Sequence, residues 1–78
     1  MRVDIYRRAE AEGKFSHLAV PEGRPIPEEA TNTDWKREVT GQDLDDARER
    51  WEEYGIHQPA AQMREKGYAI TSLGDMTR

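Results

Sequence analysis

The sequence predicts an α+β domain: a three-stranded sheet built on an antiparallel hairpin, with two helices packed on one face, in the order ββααβ. Two observations lead there. Short alternating apolar runs stand near both ends, Val3-Asp4-Ile5-Tyr6 and Phe15-Ser16-His17-Leu18-Ala19-Val20 near the start and Tyr68-Ala69-Ile70-Thr71-Ser72-Leu73 near the end. Between them lies an acidic segment whose apolar residues recur at helical spacing. Strands at both ends of 78 residues close the chain into one sheet. A single α+β domain is therefore expected over residues 1–73, with 74–78 a flexible polar tail.

The first strand puts Val3 and Ile5 on one face and Asp4, Tyr6 and Arg8 on the other, because successive side chains alternate across a strand. The polar stretch Ala9 to Lys14, ending in Gly13-Lys14, reads as a hairpin loop. The second strand, Phe15 to Val20, is apolar on both faces, and Pro21-Glu22-Gly23 stops it. Pro21, Pro25 and Pro27 then hinder a continued sheet, while Pro27-Glu28-Glu29-Ala30 suits one helical turn with acids near its positive end. Thr31-Asn32-Thr33-Asp34 is rich in capping and turn residues, and Trp35 beside it suits an anchor pinning the arm to the core.

A helix is predicted from Thr40, with Asp43 completing a weak capping box and Leu44, Ala47, Trp51 and Tyr54 forming its apolar stripe. Gly55 suits a left-handed cap, with Ile56 as its apolar contact. A second helix is predicted from Pro59 to Lys66, with proline in its first turn, Arg64 and Lys66 in its last, and Gly67 ending it. The final strand is expected beside the first. The pattern gives neither its direction nor the sheet face that the helices cover.

Composition excludes several chemistries. The absence of cysteine removes disulfides, thiolate catalysis and cysteine-held zinc, and suits a reducing cytoplasm. No run approaches the roughly 18 apolar residues of a membrane span, and the start lacks the apolar run of a signal peptide. The apolar fraction is 35% and the charged fraction 36%, so the core is thin. The net charge of −4 is concentrated in the middle, where residues 25–54 carry −6. That acidity disfavours binding to phosphate backbones of nucleic acid. It also allows Asp45, Asp46, Glu49, Glu52 and Glu53 to act as an acidic helical decoy for a basic partner.

No constellation for catalysis stands out. His17 and His57 have no helical spacing to a second ligand, so no metal site is expected. Ser16 and Ser72 lack a nucleophile elbow. No glycine-rich phosphate cradle occurs, so no cofactor is expected. One constellation remains. If Val3, Ile5, Leu18 and Val20 face the helices, Tyr6, Arg8, Phe15 and His17 occupy the other sheet face, as an aromatic recognition surface or a shallow ligand site around Tyr6, Arg8 and His17. Opposite facing, cover by the proline arm, or burial in a homodimer would each hide those rings. The arm offers a second candidate, a pocket edge of Asn32, Thr33 and Asp34 with Trp35 as its wall.

The start Val-Asp-Ile-Tyr-Arg-Arg, the run Leu-Ala-Val-Pro-Glu-Gly-Arg-Pro-Ile-Pro, the Thr-Asn-Thr-Asp-Trp segment and the ending Gly-Tyr-Ala-Ile-Thr-Ser resemble a family of small uncharacterised bacterial proteins. The resemblance spans nearly the whole chain. It implies a bacterial origin and a self-contained domain, and it carries no functional residues to individual positions. The expected function is a cytoplasmic, non-enzymatic binding or accessory module whose partner is another protein. Two exposed sheet edges leave room for a homodimer.

Overall fold

The computed structural model describes residues 1–30 and 34–77. The hairpin forms as expected. Strands β1 (Arg2–Ala9) and β2 (Phe15–Pro21) pair antiparallel, with Ile5 opposite Ala19, Tyr6 opposite Leu18 and Arg7 opposite His17. A third strand, β3 (Lys36–Asp43), pairs antiparallel with the outer edge of β1. Two short strands, β4 (Arg50–Trp51) and β5 (Ile56–His57), form a separate antiparallel ribbon. Helix α1 (Pro59–Lys66) follows, over the span predicted for the second helix. The last strand, β6 (Ala69–Ile70), pairs antiparallel with β2.

The architecture therefore corrects the expected three-stranded, two-helix ββααβ plan. It has one α-helix among the described residues and mostly antiparallel strands, in a four-stranded sheet ordered β3-β1-β2-β6 plus the β4-β5 ribbon. The final strand lies beside β2, and the neighbour of β1 on its other edge is β3.

The segment read as an amphipathic helix from Thr40 to Tyr54 is divided between the end of β3, a turn, β4 and a turn of 3-10 helix over Glu52–Tyr54. Its helical period was local, while its partners are distant. Val39 lies opposite Ile5, so continuing β3 satisfies backbone groups along the edge of the sheet. Trp51 lies opposite Ile56 in the ribbon and is fully buried, its indole N–H donating to the Asp45 carbonyl at 2.9 Å. The like-charge pairs Asp45–Glu49 and Glu49–Glu53 would each have weakened the helix. The acidic side chains consequently do not share one helical face, and the decoy reading loses its basis.

Both faces of the central hairpin are buried. Val3, Ile5 and Ala19 pack beneath Trp51 and Ile56, with Val39, Leu44, Tyr54 and Met63 at the margin. On the other face Tyr6, Leu18 and Val20 lie under Ala30 and Tyr68, with Ile26, Trp35 and Ile70 beside them. The sheet is thus the middle of three layers. The C-terminal ribbon and helix cover one side, and the proline-rich arm covers the other. The turn predicted within the arm forms as a 3-10 turn over Glu28–Ala30. Thr31, Asn32 and Thr33 lie outside the described residues. Among those described, no helix is long and apolar enough to cross a membrane.

Candidate binding site at the open end of the sheet

Register decides which side chains meet. Arg7 stands opposite His17 on β2 and opposite Lys36 on β3, while Ala9 stands opposite Phe15. Directly opposed residues point to the same face, so Lys36, Arg7, His17 and Phe15 share the face of Val3 and Ile5. The apolar cover on that face stops at Tyr54, whose ring meets His17 edge-on with centroids 5.0 Å apart. Past that point the sheet is open. A cavity of ≈ 490 Å³ lies there, lined by Arg7, Ala9, Phe15, Asp34 and Lys36. A smaller one of ≈ 230 Å³ adjoins Arg7 and Phe15 on the side of His17 and Glu38.

Arg7 is oriented from two directions. Its guanidinium carbon sits 4.5 Å from the centroid of the Phe15 ring, a cation–π contact. Its Nη1 lies 3.3 Å from Glu38 Oε1. The other oxygen of Glu38 lies 3.3 Å from His17 Nε2. Glu38 reaches both because it is the extra residue of a bulge: Ile5 faces Val39, yet Tyr6 faces Arg37. A bulge bends its strand and re-aims side chains. The Arg7 side chain nevertheless stays 47% exposed, so a held guanidinium edge faces solvent.

His17 is the buried end of this row, 5% exposed. Thr71 clamps its backbone, accepting from His17 N–H on Oγ1 at 2.7 Å and donating N–H to His17 C=O at 3.0 Å. The ring nitrogen Nδ1 has no partner among the described residues. Burial pushes the imidazole pKa below 6.5, and Arg7 adds to the effect while Glu38 opposes it. Burial, together with Glu53 and Glu38, raises the Tyr54 hydroxyl above its ordinary value of 10.0. At the rim, Phe15 and Thr77 exchange two backbone hydrogen bonds of 2.7 and 3.0 Å.

The five residues singled out from sequence divide between the two faces. Phe15 and His17 stand at the open end. Tyr6, Arg8 and Trp35 lie under or within the arm. The Arg8 guanidinium stacks 4.6 Å from the Trp35 ring centroid and its Nε donates to Glu10 at 2.6 Å. Tyr6 is 6% exposed, and its hydroxyl accepts from Arg37 Nη2 at 2.9 Å. The expected common site of Tyr6, Arg8 and His17 is therefore separated by the sheet itself. Of the expected arm pocket, Asn32 and Thr33 lie outside the described residues, and Asp34 lines the open cavity. Sequence reasoning missed Arg7, Lys36 and Glu38. Arg7 was within reach, since it alternates with Val3 and Ile5; Lys36 and Glu38 required recognising β3.

Among the described residues no cluster of three or more His, Asp or Glu is arranged to hold a metal ion. The arrangement at the open end can hold a partner group by charge, ring stacking and hydrogen bonding. Residues 1–77 match the family described as "Family of unknown function (DUF6139)". No curated protein and no solved structure matches the chain.

Proposed function

Since the chain belongs to this family of unknown function, we propose a role from its own geometry: a small non-enzymatic module that binds another protein at the open end of its sheet. The observation that carries this reading is the Arg7–Phe15 stack, held by Glu38 and still half exposed. Arginine and aromatic residues dominate the binding energy of protein interfaces, and an arginine already fixed in place loses little entropy on binding. Lys36 and Asp34 flank the stack with opposite charges and supply a polar rim. A reducing, cytoplasmic setting belongs to the same proposal, supported by the lack of cysteine.

The test is capture on the immobilised chain from nuclease-treated lysate, comparing the native protein with Arg7→Ala. One partner is expected on the native chain, with affinity reduced about thirtyfold by the substitution, as for a hot-spot residue. Equal retention by both chains of matched stability would overturn the reading. Sedimentation of the native chain alone separates a foreign partner from a homodimer.

A further inference from the structure

A third cavity, of ≈ 400 Å³, lies on the arm side of the sheet between the turn after β2 and a second bulge of β3, where Val3 lies opposite Gln42 but Ile5 opposite Val39. Asp4 forms its floor and is 3% exposed. Each Asp4 oxygen accepts one backbone N–H, from Gly41 at 2.9 Å and from Gly23 at 3.1 Å. Those two amides hold the carboxyl below its ordinary value of 3.8, with Arg37 and Arg2 contributing less. They also pin the turn and the bulge to one another, which fixes the walls.

Around this cavity the three guanidiniums of Arg2, Arg24 and Arg37 face the two carboxylates of Asp4 and Glu22, so one positive charge is in excess. Glu22 is occupied by a two-pronged contact from Arg2, at 3.0 and 3.2 Å. Asp4 accepts from its two amides and attracts Arg37 without a direct ion pair. Arg24 and Arg37 both line the space, and among the described residues neither has a carboxylate within ion-pairing distance. Arg37 donates to the Tyr6 hydroxyl, so that oxygen already accepts one bond while its own proton has no acceptor among the described residues. Thr40 also lines the space, and Pro25 and Tyr6 give it an apolar wall.

The geometry points to an oxyanion site here, taking the phosphate group of a small phosphate monoester. Guanidinium groups recognise phosphate through paired N–H donors. Two such groups with a phenol and a threonine hydroxyl offer more donors than one carboxylate needs, and a phosphate has three terminal oxygens to accept them. The volume falls in the range of small-molecule sites, leaving space for an apolar body against Pro25 and Tyr6.

The test is an NMR titration of the full chain with phenyl phosphate, inorganic phosphate and benzoate. Saturable shifts of the Gly23 and Gly41 amides are expected with both phosphates, tighter for phenyl phosphate if the apolar wall contributes. Arg24→Ala, which removes no side-chain hydrogen bond or ion pair among the described residues, is expected to weaken binding about tenfold or more, and Arg37→Ala likewise. Arg48→Ala, remote from the cavity, should leave the affinity unchanged. Absence of saturation, benzoate binding as tight as phenyl phosphate, or full affinity in Arg24→Ala would each overturn the assignment. None of these results depends on the protein-binding role of the opposite face.

Discussion

His17 shows how one side chain ties stability to pH. The folded state keeps its imidazole buried and its pKa below 6.5, chiefly by desolvation. In the unfolded chain the ring titrates near that ordinary value. Between the two, the unfolded state binds more protons, so stability is complete above pH 6.5 and is lost as the pH falls toward the folded value. Groups on every neighbouring element enter: Arg7 on β1 favours the neutral ring, Glu38 on β3 favours the charged one, and Tyr54 covers it from the ribbon side. Urea unfolding above and below pH 6.5 checks this. The native midpoint should drop on acidification, and His17→Phe should flatten the drop across that window. An unchanged slope in the variant would assign the acid sensitivity to other groups. The same residue explains a limit of sequence reading. Its place on a strand was legible, but its face depended on the pairing of odd residues with odd ones across the hairpin. A shift of one position in that register would have set His17 beside Tyr6 and Arg8.

At the scale of elements, what could be read locally was read. The hairpin and the helix from Pro59 to Lys66 carry their own punctuation, with proline at the start of the helix and a left-handed Gly67 at its end. β3 was not legible, because an exposed edge strand of Lys-Arg-Glu-Val-Thr-Gly-Gln-Asp lacks any apolar alternation. Its identity comes from β1, as does the placement of Glu38 at the candidate site. Gly55 lies between these cases. Its predicted left-handed conformation is present at φ 62, yet it caps a turn of 3-10 helix in place of the expected long one. A side chain there would strike the Asp75 carbonyl and come within 3.1 Å of Thr71 Cγ2, whereas one on Gly67 would meet nothing within 4 Å. Both positions carry the left-handed penalty, about 1–2 kcal/mol for alanine. Gly55→Ala adds the overlap with backbone, roughly 1–3 kcal/mol more. Its loss of stability by chemical denaturation should therefore clearly exceed that of Gly67→Ala. Equal losses would show that the segment around Asp75 yields without cost.

Across the whole molecule, the C-terminal residues join layers that the sheet alone leaves separate. Thr77 closes onto Phe15 through two backbone hydrogen bonds, and Asp75 Oδ2 lies 2.7 Å from His57 Nε2 on the ribbon. The same stretch adjoins the open end of the sheet, since Thr77 borders the smaller cavity beside Arg7 and Phe15. Removing residues 74–78 deletes these contacts and leaves the core beneath Trp51 untouched. Ordinary hydrogen bonds contribute about 1 kcal/mol each and those to charged groups somewhat more, so the loss should be roughly 2–4 kcal/mol. A chain of this size has only about 4–12 kcal/mol in total. The shortened chain should still fold, with a melting temperature lowered by about 10–20 °C. The two surfaces then part company. Phe15 loses its backbone partner, so binding at the Arg7 face should weaken at temperatures where both chains remain folded. The Arg24–Arg37 cavity is held by Asp4 and should keep its phosphate affinity. Thermal unfolding with both binding assays on one truncated chain tests this division. Equal loss at the two sites would mean that the terminal residues support the fold as a whole, and an unshifted melting temperature would mean that their contacts contribute nothing.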